Sequence, residues 1–282
     1  MRWRNPRKSS NVEDRRGMRV PAAAGGGVGA LILIVIVMLM GGDPGSVLNS
    51  NPSFDPGSGT NQETFSAEEQ ELADFVSVVL ADTEDTWNAL FAAEGLDYRE
   101  PTLVLFSGGV DSACGYAQSA VGPFYCPADE KVYIDLSFYR DLRDRFDAPG
   151  DFAQAYVIAH EVGHHVQNQL GVMDQVQEAQ QGSSQVEANR LSVMLELQAD
   201  CLSGVWAYHA EQARDVLEEG DIEEGLNAAS SIGDDRLQME SQGRVAPDSF
   251  THGTSAQRVS WFSTGFESGE IESCNTFEVM NE

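Results

Sequence analysis

The sequence predicts an α+β fold: a mostly helical domain with a small β-sheet, preceded by one transmembrane helix. Three short apolar runs bounded by Gly, Pro, Ser and Asp predict strands at residues 102–106, 122–126 and 131–135. The chain after these runs is mostly helical in its apolar period. Helices flanking a small sheet are typical of α+β domains, and an uncharged apolar segment near the start predicts the membrane helix.

Charge is unevenly distributed along the chain. The 282 residues carry a net charge of −28, of which residues 1–20 contribute +5 and the remainder −33. Because so acidic a body repels phosphate backbones, we predict that the protein binds no nucleic acid.

A chain of this length is long enough to bury a sizeable core in one domain or two.

Residues 21–42 are uncharged and contain the apolar run ALILIVIVMLM. This run is shorter than the ~20 residues that a helix needs to cross a bilayer, but the flanking glycines extend the uncharged length to about that value. A cleaved signal peptide is the alternative, and we favour an uncleaved signal anchor because no clear A-x-A site follows Met40. The basic flank then predicts a single-pass protein of the cell membrane, with residues 1–20 in the cytoplasm and the acidic body extracytoplasmic.

The segment after the predicted anchor has the composition of a tether. Residues 43–63 are rich in Gly, Pro, Ser and Asn, which predicts a flexible linker. The folded domain is expected over residues 64–282. Ser66 followed by Glu69 is a capping-box pattern in front of a helical apolar period, so we predict that a helix begins there.

The chain has four cysteines, at positions 114, 126, 201 and 274. An even number in a chain facing an oxidising space indicates two disulfides. Three pairings are possible; we favour Cys114 with Cys126, because the two are close around one strand-turn unit, and Cys201 with Cys274. Free buried thiols are the alternative. A metal role has less support, since no two of these cysteines form a C-x-x-C pair.

The stretch FAQAYVIAHEVGHHVQNQLG contains the motif HEVGH. Asp151 is a candidate N-cap and Gly171 a candidate stop for a helix around it. His160 and His164 are four residues apart, so both imidazoles project from one face and reach a single ion. Zinc takes neutral imidazole ligands, and Glu161 is placed to act as a base towards a water at the metal.

A catalytic zinc site needs a third protein ligand, and no histidine or aspartate follows HEVGH at short spacing. A later apolar helical run, RLSVMLELQADCLSGVWAYHA, carries Glu196 and Asp200 on one face. Two acids would be costly to bury there without partners, and a metal removes that cost. Glu196 is therefore predicted as the third ligand and Asp200 as the acceptor for the second ring N–H of a ligand histidine. A solvated helix face is the alternative.

Several motifs in order carry a resemblance to a known family: HEVGHHVQ, LELQADCLSG, CGYAQSAVGPFYCPADEKVYIDLSFYRDL and THGTSAQRVSWFSTGF. Over roughly residues 87–266 the sequence resembles the putative neutral zinc metallopeptidase family, bacterial proteins that often carry an N-terminal membrane anchor. The resemblance implies a zincin-like, gluzincin-type peptidase domain that binds Zn²⁺.

Carried over residue by residue, the resemblance implies that His160, His164 and Glu196 hold the metal. It also implies that Glu161 is the catalytic base and that Asp200 supports a ligand. The expected activity is a membrane-anchored zinc-dependent endopeptidase that acts on a peptide or protein substrate. The alternative from another class is a catalytically inactive, membrane-tethered zinc-binding scaffold or peptide-binding module.

Two further expectations concern the reaction and the substrate. His252 is the best remaining candidate for a catalytic group that stabilises the oxyanion, with Tyr133 or Tyr156 as alternatives. His165 and His209 are expected to face solvent or the core. The run KVYID at residues 131–135 could be an edge strand that pairs with an extended peptide. The sequence indicates no oligomeric state.

Overall fold

The computed structural model describes residues 1–4, 7–18 and 65–279. Its strands include the three that the apolar runs predicted, together with an N-terminal strand and a hairpin that they did not. The bounds are β1 Val12–Asp14, β2 Thr102–Phe106, β3 Gly109–Ser112, β4 Gly115–Gln118, β5 Phe124–Cys126 and β6 Lys131–Asp135.

Four of the strands form a sheet in the order β1-β2-β6-β5, and β3 pairs with β4 in a separate hairpin. Both β1 and β6 run parallel to β2, whereas β5 runs antiparallel to β6. The KVYID run is therefore an interior strand, bonded on both sides, and the suggestion that it is an edge strand is wrong. The edge on that side of the sheet is β5.

The two faces of the sheet pack against different partners. Leu103 and Leu105 of β2 face the main core, which the helices complete. Val104 and Phe106, which alternate with them, pack with Val110 of the hairpin. Because both faces of β2 are covered, its sequence is a continuous apolar run and not an alternating one.

Helices make up most of the rest of the described chain. The first, α1, has the predicted capping box: Ser66 accepts from the amide of Glu69, and the Glu69 carboxylate accepts from the amide of Ser66. The bounds are α1 Ala67–Ala93, α2 Phe138–Asp144, α3 Asp151–Gln169, α4 Val172–Gln180, α5 Gln185–Arg214, α6 Asp221–Ser231, α7 Asp234–Gln242, α8 Ser255–Ser268 and α9 Thr276–Val279, with 3₁₀ turns at Ser119–Val121, Pro247–Ser249 and Ile271–Cys274.

The predicted transmembrane helix requires a correction. Among the residues described, none of the helices combines the length and the apolar character needed to cross a membrane. The apolar segment 21–42 and the predicted linker 43–63 both lie outside the described residues. The described fold is therefore a mostly helical α+β domain with a small sheet, without the predicted membrane helix.

The prediction that residues 1–20 and the domain lie on opposite sides of a cell membrane is wrong. Val12–Asp14 forms a strand in register with Leu103–Leu105, so both belong to one sheet. Arg7 pairs with Glu84 at 3.0 Å and with Asp85 at 2.7 Å, both on α1. The basic start of the chain, which suggested a cytoplasmic flank, neutralises carboxylates of the domain itself.

Both disulfides of the favoured pairing are present, and the part of the chain that is described has no free cysteine. The Cys114–Cys126 bond ties the turn of the β3–β4 hairpin to β5. The Cys201–Cys274 bond closes a separation of 73 residues and holds the C-terminal segment against α5.

Candidate metal centre

The HEVGH motif lies in the middle of α3, which contacts β5, β6, α5 and α6. Its N-cap is Gly150, so Asp151 is the first helical residue and not the predicted cap. The start of the helix is supported from α6, where Glu224 accepts from the amide of Phe152 at 3.1 Å. Gly171 follows the end of the helix in the left-handed region, φ 73°, which fits its predicted role as the stop.

Two helices bring the three candidate ligands together. His160 and His164 project from α3, and Glu196 faces them from α5. The distance from His160 Nε2 to Glu196 Oε2 is 3.2 Å, and that from His164 Nε2 to Glu196 Oε1 is 3.4 Å. One donor atom from each residue lies within 4.8 Å of the others. Two histidines of one helix and a glutamate of another thus present their donor atoms to one point.

The two histidines use Nδ1 for their other hydrogen bonds, so that both Nε2 atoms face Glu196. His160 Nδ1 lies 2.8 Å from Asp200 Oδ1, and His164 Nδ1 lies 2.8 Å from Gln167 Oε1. Since a carboxylate and an amide oxygen only accept, each Nδ1 carries a proton, and in the neutral ring each Nε2 presents its lone pair. Two imidazoles and one carboxylate form a donor set that fits Zn²⁺.

Asp200 is fully buried and belongs to a network that includes an arginine. Arg258 of α8 donates from Nε to Asp200 Oδ2 at 2.8 Å and from Nη2 to Asp200 Oδ1 at 2.9 Å. Tyr156 donates its hydroxyl to the same carboxylate at 2.5 Å. Burial alone raises the pKa of Asp200, but the charges of Arg258 and His160 hold it below its usual value. Asp200 is thus ionised and able to orient His160.

Close backbone contact between α5 and α8 brings Arg258 to this position. A Cβ on Gly204 would lie 2.1 Å from the carbonyl oxygen of Phe262, and one on Gly265 would lie 1.9 Å from that of Cys201. These glycines therefore permit an approach that no other residue type allows. The crossing places the first turn of α8 beside Asp200.

Glu161 lines the cleft beside the candidate ligands and has no hydrogen-bond or ion-pair partner among the described residues. Its side chain is buried, and burial raises the pKa of the carboxyl above its usual range. A carboxylate without a partner and with a raised pKa is suited to accept and release a proton.

His252 reaches the same cleft from the loop before α8. Asp234, the first residue of α7, holds this loop: its Oδ2 accepts from the amides of Thr251, His252 and Gly253 at 2.7, 2.7 and 3.1 Å. Asp234 Oδ1 lies 3.3 Å from His252 Nδ1. Burial lowers the pKa of His252, but the hydrogen bond to Asp234 and the charge of Glu196 outweigh this effect. The pKa of His252 is therefore raised above its ordinary value.

A cleft of about 390 Å³ opens over the candidate ligands. Residues Gly122 to Tyr125, which include part of the edge strand β5, line it on one side. Among the described residues, Arg258 is the only arginine or lysine in its lining, and it is itself buried and paired. The cleft is largely apolar, with aromatic or aliphatic walls from Phe124, Phe138, Phe146, Met173, Ile232 and Leu237.

The structure also locates the other residues considered for the site. Tyr156 is committed to Asp200, and Tyr133 donates to Asp129 at 2.7 Å and does not line the cleft. His165 is buried, with Tyr125 Oη 3.0 Å from its Nδ1. His209 Nε2 lies 2.9 Å from the carbonyl oxygen of Gly269. Neither of these histidines is part of the candidate metal centre.

Three residues of the site were missed by sequence reasoning. Arg258 gave a readable signal, since it lies on the same helical face as Phe262 and Gly265, the buried face of α8. Gln167 follows His164 by three residues and so shares its face, which is a weak signal for a polar residue. Asp234 gave none, because an acidic residue in the first turn of a helix is common.

The fold and the site define a mostly helical α+β protein with a candidate His-His-Glu zinc centre. The chain belongs to the family described as "Putative neutral zinc metallopeptidase", whose profile matches residues 1–277.

Two relatives illustrate the match. The "Uncharacterized protein YpfJ" of Escherichia coli (strain K12) is 53% identical, over 98% of this chain and 99% of its own. The "Uncharacterized protein Rv2575" of Mycobacterium tuberculosis (strain ATCC 25618 / H37Rv) is 40% identical, over 86% of this chain and 85% of its own. No solved structure matches the chain.

Proposed function

We propose that the protein is a zinc-dependent endopeptidase whose metal is held by His160, His164 and Glu196. The observation that carries the proposal is the position of Glu161. This buried carboxylate lines the cleft beside the three ligands and is unpaired among the described residues. A purely structural zinc site needs no such group and usually takes a fourth protein ligand.

The residue types indicate what the metal and Glu161 would each do in the reaction. A bound zinc ion would supply a Lewis acid that polarises the scissile carbonyl and acidifies a water. Glu161 accepts a proton from the attacking water at a carboxylate oxygen and passes it to the nitrogen of the leaving amine. Burial raises the pKa of Glu161 above its ordinary value, which favours uptake of that proton.

His252 is proposed as a donor to the oxyanion that forms on the substrate. Its raised pKa favours the protonated ring, in which Nδ1 faces Asp234 and Nε2–H has no partner among the described residues. A donor fixed before the reaction stabilises developing negative charge without reorganisation.

The edge strand β5 is proposed as the surface that aligns the substrate. It pairs with β6 alone among the described strands, and residues Gly122 to Tyr125 line the cleft. An extended peptide that adds to this edge would be held through its backbone, which suits a peptidase that accepts unstructured chains. The apolar walls of the cleft favour hydrophobic side chains next to the scissile bond.

The test uses the purified full chain and an unstructured substrate such as casein. Cleavage near neutral pH should stop when 1,10-phenanthroline removes the zinc and return when zinc is restored. Cleavage that persists after complete zinc removal would contradict the proposal. A chain that retains zinc but cleaves neither casein nor a broad peptide library would instead support the inactive zinc-binding scaffold.

A further inference from the structure

His164 is connected to the Cys201–Cys274 disulfide by two glutamine side chains. The first is Gln167, which is fully buried. Its Oε1 lies 2.8 Å from His164 Nδ1. Its Nε2 donates to the backbone carbonyl of Leu195 at 2.7 Å and to Oε1 of Gln198 at 3.0 Å. Both ends of the amide are therefore in use, one towards α3 and the other towards α5.

The second glutamine continues the connection towards the C-terminal segment. Gln198 lies on α5, and its Nε2 donates to the backbone carbonyl of Cys274 at 3.0 Å. Cys274 is held against the same helix by its disulfide to Cys201, three residues after Gln198. Thr276 adds a hydrogen bond to the carbonyl of Met194 at 2.7 Å. The disulfide thus fixes the acceptor that Gln198 uses.

Two backbone carbonyls set the direction of these hydrogen bonds, that of Leu195 at Gln167 and that of Cys274 at the disulfide end. A backbone carbonyl only accepts, so Gln198 must present Nε2 to Cys274 and Oε1 to Gln167. Gln167 must then present Nε2 to Gln198 and Oε1 to the ring of His164. An amide oxygen cannot donate, so His164 Nδ1 must carry a proton, and in the neutral ring Nε2 presents its lone pair to a metal.

We propose that Gln167 and Gln198 are positioning residues that couple the orientation of His164 to the Cys201–Cys274 disulfide, so that zinc affinity depends on that bond. The inference rests on the zinc site of the proposed function. Asp200 and Arg258 serve His160, and this second, neutral pathway serves the other histidine. The two ligands of α3 are therefore oriented by different parts of the chain.

The test is a set of zinc affinities, measured on the full chain by competition with a chromophoric chelator. Gln167→Leu should weaken zinc binding by roughly 10 to 100-fold, as the loss of a partner of a ligand histidine does. Gln198→Leu should weaken it by about 5-fold, the equivalent of one neutral hydrogen bond. Cys201→Ala with Cys274→Ala should have the same effect as Gln198→Leu. The matched control is Cys114→Ala with Cys126→Ala, which removes the other disulfide and should leave zinc affinity unchanged.

The decisive result is whether the losses of zinc affinity caused by the two changes add up when the changes are combined. Independent structural contributions would add, whereas losses along one hydrogen-bonded connection would not. Gln198→Leu in the Cys201→Ala, Cys274→Ala background should leave the loss at about 5-fold and not raise it to about 25-fold. In the Gln167→Leu background, Gln198→Leu should likewise cause no further loss of zinc affinity. Both disulfides are present in this second cycle, so its result does not depend on whether the chain folds without one of them.

Additive losses in both cycles, or an equal loss in the control, would overturn the coupling. A wild-type chain that binds no zinc would overturn both the coupling and the proposed function. A chain that binds zinc and shows the predicted cycles but cleaves no peptide would overturn the proposed function alone.

Discussion

Gly163, the glycine of HEVGH, lies directly against the backbone of Ala199. A Cβ on Gly163 would be 3.0 Å from the carbonyl oxygen of Ala199 and 3.3 Å from its Cα. Gly163 lies between the two histidines of α3, and Ala199 lies between Glu196 and Asp200 of α5. The two helices that carry the candidate ligands are therefore in close backbone contact between the ligand residues.

Gly163→Ala should weaken zinc binding, because the added methyl group pushes α5 away from α3. Overpacking of this kind costs about 1–3 kcal/mol of stability, which the better helix propensity of alanine offsets by about 1 kcal/mol. Zinc competition and thermal melting on the variant measure the two effects separately. Unchanged zinc affinity would show that the helix separation does not control the site.

Much of the candidate site could be predicted because its residues lie on single helices. The spacing of His160 and His164, and that of Glu196 and Asp200, fixes a shared face within each helix. The partners that complete the site come from elsewhere. Arg258 reaches Asp200 only because α5 and α8 cross closely at their glycines, and such a crossing has no local sequence pattern.

The errors in the fold have a similar origin. The sequence wrongly predicts an edge strand at KVYID, because apolar content does not reveal how many neighbours a strand has. The strand at Val12–Asp14 is short and polar, so it gave no apolar signal. The arginines of the first residues looked like a membrane flank because a sequence does not show which distant carboxylates they pair with, here those of α1.

Glu196→Ala should lose most of the bound zinc, because it leaves only two ligands from α3. Asp200→Asn should retain the three ligands and weaken zinc affinity by roughly 10 to 100-fold, the usual effect of changing the partner of a ligand histidine. Zinc content by atomic emission on both purified variants checks this. Full zinc occupancy in Glu196→Ala would mean that the third ligand is another residue.

The buried pair of Asp200 and Arg258 should show strong coupling in stability. Arg258→Met leaves the Asp200 carboxylate without its cation, and breaking a buried pair in this way costs about 3–5 kcal/mol. Asp200→Asn together with Arg258→Met should recover much of that loss, because no buried charge is left unpaired. Urea denaturation of the two single variants and the double variant tests the coupling, and simple additivity would argue against it.

Asp234→Asn should shift the alkaline limb of the pH profile of kcat/KM to lower pH. Asp234 helps to raise the pKa of His252 above its ordinary value. When that charge is removed, the pKa falls and the ring loses its proton at a lower pH. The protonated ring that donates to the oxyanion is then lost at a lower pH, and kcat/KM begins to fall at that lower pH.

The neighbouring Asp235 provides the matched control for this pH profile. Its carboxylate accepts from the amide of Ser255 at 2.7 Å and makes no bond to His252. Asp235→Asn should therefore leave the alkaline limb in place. If Asp234→Asn also left the limb unchanged, the protonated ring of His252 would have no part in the reaction.

Peptide cleavage by Glu161→Gln, compared with wild type at equal zinc content, shows whether Glu161 is the base that activates water for peptide hydrolysis. The substitution keeps the shape of the side chain but removes the proton acceptor, so the fold and the bound zinc should be unaffected. Loss of a general base reduces the rate by about 10² to 10⁴-fold, and we expect casein cleavage by the full-length variant to fall by that factor. Equal cleavage rates for the variant and the wild type, with zinc retained in both, would contradict the account.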